Sequence, residues 1–223
     1  MSGYGQFCPV AKTSELLSER WMPLILRELM TGSSRFGEIR NGLPTISTAM
    51  LTKRLRQLES AGVVDRSPGA EYSLTEAGWE LFPIIEAMGV WGQRWARSTY
   101  GPDELDPALL MWDLRKMLQP EGLADDRTVV AFRFTRAPRG KSHYWLVVDD
   151  TIDLCLIDPG HEVDLWVNAD LRALTEVWMG DRTMRSAMGD GSIELVGRRA
   201  LVRRFPDWLG RHPVLGGVED ARV

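Results

Sequence analysis

Ser47-Thr48-Ala49-Met50-Leu51-Thr52-Lys53-Arg54-Leu55-Arg56-Gln57-Leu58-Glu59-Ser60 is the stretch on which the fold of this 223-residue chain turns. Ser47 suits a helix N-cap, where its hydroxyl takes up an unpaired amide of the first turn. Leu51, Leu55 and Leu58 recur at i, i+4 and i+7 and share one face of a helix running to about Ser60, which Gly62 ends. Ala49, Thr52, Lys53 and Arg56 fall on the opposite face. A solvated helix face would show the same division, but its outer side usually mixes both charge signs. Here that side is small, short or basic, as a helix lying in a DNA major groove needs. Small residues let base edges approach, and Lys and Arg reach phosphates or guanine. From Arg35 to Arg56 the chain holds Arg35, Arg40, Lys53, Arg54 and Arg56 against Glu38 alone, an excess of +4 in a chain of net charge −4.

Upstream, residues 13–31 read as two short helices. Thr13 or Ser14 can cap the first, which carries Leu16 and Leu17. The second begins near Trp21-Met22-Pro23 and runs to Gly32, with Pro23 tolerated because the first helical turn needs no donor from it. Arg35 to Arg40 form a further short helix closed by Asn41-Gly42, and Leu43-Pro44-Thr45 is a turn. Downstream, Val63-Val64-Asp65-Arg66 and Glu71-Tyr72-Ser73-Leu74 are strand candidates around the turn chemistry of Ser67-Pro68-Gly69-Ala70. Helix, turn, helix, then a hairpin is the order of a winged helix. Arg66 lies at the foot of that hairpin, whose tip would touch the neighbouring DNA backbone. Thr75 caps another helix. After Pro83, Ile84, Ile85, Met88, Trp91 and Trp95 recur at helical spacing, and two tryptophans so placed imply burial against a second subunit or a second domain.

These residues carry a resemblance to the HxlR family of bacterial winged-helix transcription regulators. The matching pieces run almost without break from Cys8 to Trp95: Cys8-Pro9-Val10, Trp21 with Leu24 to Leu29, Arg35-Phe36-Gly37-Glu38-Ile39, and Leu43 to Ser47. They continue through Met50 to Glu59, Gly62-Val63-Val64, Glu71 to Thr75 and Leu81 to Ile85. The resemblance implies a homodimer on a roughly palindromic double-stranded DNA operator, with Ser47 to Arg56 as the recognition helix. The expected DNA-contacting residues are Arg35, Ser47, Thr48, Ala49, Thr52, Lys53, Arg56 and Arg66. The family often has a basic residue where Ala49 stands and a longer, proline-rich wing where Ser67 to Ala70 stand. Some relatives use a cysteine at the position of Cys8 to sense oxidants or electrophiles, and a thiol beside a helix N-terminus is often more reactive. Cys8 is therefore a redox-sensing candidate, although a packed or inert thiol reads equally from the sequence.

Composition shifts near Tyr100, and Gly101-Pro102-Asp103 is a linker candidate. The expected domains are 1–99, for DNA binding and dimerisation, and 100–223, for ligand binding. Residues 1–100 hold 11 Lys+Arg and 10 Asp+Glu, whereas residues 101–223 hold 16 and 21. Glu104 to Leu118 reads as a helix. Strands follow at Thr128 to Phe134 (Val130, Phe132 and Phe134 on one face), His143 to Val148, Ile152 to Ile157 and Val163 to Val167. Asp170 caps a helix from Leu171 to Met179, Thr183 to Met188 is a short helix, Ser192 to Val196 a strand and Arg198 to Phe205 a last helix. This α, antiparallel meander, α–β–α layout resembles the sterol carrier protein type two family over residues 103–210. It does so through Trp145 to Val148, Asp164 to Asn168 and Gly189 to Leu195 as well. That likeness implies an α+β unit with a mostly antiparallel sheet and a cavity for an apolar small-molecule effector. Trp112, Phe132, Phe134, Trp145, Trp166 and Trp178 would line such a cavity, or equally an ordinary core.

Composition narrows the function classes. The chain is 44% hydrophobic and 26% charged, enough for a packed core. Two cysteines, Cys8 and Cys155, exclude a disulfide scaffold and a multi-thiolate zinc site. The three histidines, His143, His161 and His212, lack metal-helix spacing and a paired Ser or Cys motif. No cofactor, metal or catalytic constellation is expected. No apolar run approaches ~20 residues and no secretory signal is visible, so a cytoplasmic protein without membrane contact is expected. The expectation is a one-component DNA-binding regulator. The alternative is a lipid or small-molecule carrier whose winged helix serves only dimerisation.

Overall fold

The computed structural model describes residues 3–96, 100–101, 104–118 and 127–209. The chain divides into two compact units, Met1–Trp91 and Gly92–Val223. The first contains α1 (Pro9–Leu17), α2 (Met22–Met30), α3 (Phe36–Asn41), α4 (Thr48–Ser60), β1 (Val64–Arg66), β2 (Tyr72–Leu74), α5 (Glu76–Trp79) and α6 (Phe82–Trp91). α1 starts at Pro9, ahead of the expected caps Thr13 and Ser14, which lie inside the helix. Proline opens a helix well because its preset φ is helical and its missing amide is not needed there. α4 ends as expected: Gly62 takes φ 69°, and the amides of Gly62 and Val63 close on the carbonyls of Glu59 and Leu58, both at 3.0 Å.

Ile25, Leu26, Ile39, Leu51, Leu55 and Leu58 form the centre of this unit. Burying each such side chain contributes roughly 1.5–3 kcal/mol. One carboxylate, Glu28, is wholly buried among them. It accepts hydrogen bonds from Arg27 Nη2 at 2.7 Å and Ser33 Oγ at 3.1 Å. The same Arg27 nitrogen donates to the Gly42 carbonyl at 3.2 Å, joining α2 to the turn before α4. Gly42 closes α3 as expected, but for another reason than backbone freedom. Its φ is −75°, open to any residue, and a Cβ there would overlap the Glu28 carboxylate.

A π-helical turn, Gly92–Ala96, opens the second unit. Then come α7 (Pro107–Met117), β3 (Thr128–Thr135), β4 (His143–Val148), β5 (Ile152–Cys155), β6 (Leu165–Asp170), α8 (Leu171–Trp178), α9 (Met184–Gly189), β7 (Ile193–Gly197) and α10 (Arg199–Trp208). Of the expected linker, Pro102 and Asp103 lie outside the described residues. The five-stranded sheet has the order β5-β4-β3-β6-β7. Its ladders are antiparallel except β3–β6, which is parallel. The meander thus covers β3 to β5 only, and the chain then crosses to place β6 beside β3. Asp164 holds the crossing: its Oδ2 accepts the Val129 amide at 2.8 Å, and its Oδ1 pairs with Arg198.

Alternation along the strands gives the sheet two unlike faces. Val130, Phe132, Phe134, Leu146 and Val167 point to one side and pack with residues of α7, α8, α9 and α10 into the main core. Val129, Ala131 and Trp145 form a second cluster on the other side. Among the described residues, no helix is long and apolar enough to cross a membrane.

Candidate nucleic-acid interface

α4 meets the expectation for an amphipathic helix. Leu51, Leu55 and Leu58 are buried, while Thr48, Ala49, Lys53 and Arg56 are exposed and Thr52 is half-buried. Ser47 caps the helix, its Oγ accepting the Met50 amide at 3.2 Å. Its hydroxyl proton stays available to a phosphate. Thr52 Oγ1 donates to the Thr48 carbonyl at 2.9 Å, which anchors its methyl and hydroxyl on the outer face. Lys53 and Arg56 have no ion-pair partner among the described residues.

The basic excess of the segment is smaller on the surface than in the sequence. Arg54 is buried, 5% exposed. It pairs with Glu19 at 2.6 Å and donates to the Arg20 carbonyl at 3.0 Å and to Gln57 at 2.8 Å. Position 54 lies three residues after Leu51 and four before Leu58, so helical geometry turns it inward with them. Arg35 is exposed but paired to Glu71 of the hairpin at 3.0 Å, and the two residues also form an isolated β-bridge. That contact, with the Tyr72 amide donating to the Ser34 carbonyl at 2.7 Å, fastens the wing to the start of α3. Arg66 is exposed, with its guanidinium stacking over Tyr72 at 5.4 Å from the ring centroid. Arg40, counted in the charge excess but not among the expected contacts, is exposed in the last turn of α3 without an ion-pair partner among the described residues. Its residue type and its place just before the turn into α4 were the available signal.

The wing tip is short. Ser67 to Ala70 close a tight turn in which the Ala70 amide meets the Ser67 carbonyl at 2.9 Å and the Ser67 amide meets the Glu71 carbonyl at 2.8 Å. Ala70 sits at φ 60°, a left-handed conformation that costs a non-glycine residue roughly 1–2 kcal/mol.

The same unit also carries an apolar stripe. Ile84, Met88 and Trp91 of α6 are exposed at i, i+4 and i+7, while the adjacent Ile85 is turned into the core and buried. Trp79, Phe82, Leu24 and Val10 are exposed too, as is Trp95 beyond α6. Cys8 is half-buried at the N-cap position of α1.

In the second unit the six expected lining residues do not converge. Phe132, Phe134 and Trp178 lie in the helix-covered core. Trp145 and Trp166 lie on the opposite face of the sheet. Trp112 is buried beneath the Arg115 guanidinium, 4.9 Å from its ring centroid. Cys155 is half-buried and packs with Trp145. His143 meets Ser142 Oγ at 3.0 Å, His161 meets Arg127 at 3.4 Å, and His212 lies outside the described residues. Among the described residues no group of three or more His, Cys, Asp or Glu is placed to hold a metal ion.

The sequence of the N-terminal part matches known proteins. The HxlR-like helix-turn-helix family pattern covers residues 16–100. An HTH-type transcriptional regulator of Synechocystis is 42% identical over 97 residues, spanning 41% of this chain and 72% of its own. The HTH-type transcriptional regulator YvaP of Bacillus subtilis is 40% identical over 102 residues, spanning 43% of this chain and 94% of its own. The crystal structure of quinone-bound YodB from B. subtilis aligns with 38% identity over 40% of this chain and 100% of its own, at a TM-score of 0.37. On the strength of these sequence matches, and of a winged helix whose α4 presents the expected side chains, this chain belongs to the HxlR-like family of helix-turn-helix transcriptional regulators.

Proposed function

We propose that the chain is a one-component transcriptional regulator that binds a roughly palindromic operator as a homodimer, with α4 as its recognition helix. The observation that carries the reading is the outward, unpaired placement of Lys53 and Arg56 beside Thr48, Ala49 and Thr52. Ser47, Arg35 and Arg66 flank that row; Arg35 would have to exchange Glu71 for a phosphate. The exposed stripe of Ile84, Met88 and Trp91 supports a second copy as its cover, since apolar surface of this kind is unfavourable in water. Two recognition helices would then lie about one DNA turn apart, ~34 Å.

Residues 1–99 take the DNA-binding and dimerisation role in this reading, and residues 100–223 the effector-binding role. The order of three antiparallel strands, a crossing, then β6, helices and β7 supports the likeness to sterol carrier proteins type two. An effector would need a coupling of only ~1–3 kcal/mol to regulate. Cys8, at the head of α1, is the candidate redox input. Operator affinity that is the same for Cys8→Ser and the parent, reduced and peroxide-treated, removes it.

The experiment is selection of bound fragments from random DNA, followed by fluorescence anisotropy on the selected operator. Affinity should fall steeply with salt, and Lys53→Ala and Arg56→Ala should each lower it about tenfold and flatten the log–log salt slope by about one. Unchanged affinity in both variants would overturn the reading and favour the carrier alternative.

A further inference from the structure

α10 turns Leu201, Phe205 and Trp208 into the main core of the second unit. Its outer side carries Arg199, Ala200, Arg203 and Arg204, all exposed. With Arg198 at the N-cap, four arginines fall within seven residues, and the acidic residue of the helix is Asp207, near its end. Arg198 pairs with Asp164, but Arg199 and Arg203 have no ion-pair partner among the described residues. The surrounding sequence has the opposite sign. Residues 101–170 hold 7 Lys+Arg and 14 Asp+Glu, so this basic row stands in a strongly acidic half.

Folding alone does not favour these residues. Arg199 and Arg203 lie one turn apart, where like charges repel. Arg199 is the first residue of the helix, and no acidic residue stands in the first turn. A positive charge at that end opposes the helix dipole. A carboxylate at position 199 would relieve both costs, so the row points to an anion outside the chain.

The composition of the face selects that anion. None of the large apolar side chains exposed among the described residues belongs to α10. A protein partner needs aromatic or apolar anchors, and a bilayer needs an apolar face to insert. The apolar face of α10 is buried in its own core. A phosphate backbone needs neither: Lys and Arg hold it, and small residues let it approach. Arg199 to Arg204 span roughly 7–8 Å of helix axis, and phosphates of one DNA strand advance about 3.4 Å along the duplex, so the row can meet two or three in succession. Ala200 beside Arg203 and Arg204 repeats the pattern of α4, where Ala49 stands beside Lys53.

We propose that the outer face of α10 grips the phosphate backbone of duplex DNA, a sequence-independent contact of the second unit in addition to the operator contact of α4. It rests on the regulator reading only for the source of the duplex.

The full chain is titrated by fluorescence anisotropy with two duplexes of about 40 base pairs, one with the selected operator at its centre and one of random sequence, at roughly 50 and 200 mM salt. Arg199→Gln combined with Arg203→Gln should weaken the random duplex about fivefold or more at the lower salt and flatten the log–log salt slope by about two. The preference for operator over random duplex should stay the same. Arg133→Gln combined with Arg139→Gln, which removes the same charge from exposed positions elsewhere in the second unit, should change binding less than twofold. Arg199→Glu should weaken both duplexes about tenfold while raising the thermal midpoint, because it relieves the repulsion and suits the dipole.

Unchanged binding of the random duplex by the Arg199 and Arg203 double variant, or equal loss in the Arg133 and Arg139 pair, would overturn the proposal. So would a lower thermal midpoint in Arg199→Glu, the mark of a merely structural role. Duplex binding that is unchanged while retention on phosphatidylserine vesicles or on immobilised polyglutamate is lost would replace DNA by a membrane or an acidic protein. Random-duplex binding that depends on α10, with no operator selected, keeps this proposal and removes the regulator reading. Operator binding that ignores α10 does the reverse.

Discussion

The two units use buried polarity in opposite ways. The winged helix buries Glu28, Ser33 and Arg54, whereas the only polar or charged residue in the same class in the second unit, among the described residues, is Thr128. A sheet fixes its strands through main-chain ladders, so side chains beneath it need only fill space. Helices satisfy their hydrogen bonds internally, and apolar contacts between short helices leave their crossing angles loosely specified. Glu28 and Arg54 supply directional contacts in that layer: Glu28 holds Arg27, which reaches the Gly42 carbonyl at the end of α3, and Arg54 joins α4 to the segment between α1 and α2. The lesson is that α4 is oriented by charges that lie beneath its exposed row and are themselves shut off from solvent.

Four measurements break or sharpen that contrast. Phe132→Ala should have the largest effect, destabilising the second unit by ~3–5 kcal/mol through a cavity in its apolar core. Amide exchange read separately over the two units should show the loss across β3, β4 and β6; equal loss in α2 and α4 would break the comparison. Glu28→Ala should cost ~2–4 kcal/mol, because Arg27 and Ser33 lose a buried partner. Operator affinity should fall with it although Glu28 is remote from any exposed surface. A variant that folds less stably yet binds DNA as before would deny the orienting role.

The third measurement is alkaline titration. Burial, and after it the negative charge of Asp106, pushes the Tyr144 phenol up to about 12 from its ordinary 10.0. The folded protein therefore keeps a proton that the unfolded chain releases. The stabilisation is fully present below pH 10 and is lost as pH rises toward 12. Urea midpoints of the second unit at pH 8 and pH 11 should differ more in the parent than in Tyr144→Phe, and an identical pH dependence would remove Tyr144 as the cause. Smallest is Ala70→Gly, which should stabilise the wing by ~0.5–1 kcal/mol by relieving the left-handed backbone. A lower thermal midpoint would show that the alanine is held without strain.

Much of the architecture was legible because its signals are local. Ser47, Thr75 and Asp170 each cap the helix they were expected to cap, with side-chain oxygens accepting amides from Met50, Gly78 and Ala173. Gly62 ends α4 through a positive φ, as expected. Less was legible where a residue's partner is distant in sequence. Arg54 counted toward a basic surface until Glu19 claimed it. The six aromatic residues of the second half looked like one lining, and strand parity together with the pairing of β6 beside β3 divided them between faces.

Periodicity and capping, which depend on neighbours three or four residues away, determined from sequence alone that this chain carries a winged helix with a small, basic outer row on α4, followed by an α+β unit. Which cations stay free and why Gly42 must lack a side chain were decided only in three dimensions. Each depends on groups far apart along the chain arriving at the same place, and burial makes their pairing or its absence costly.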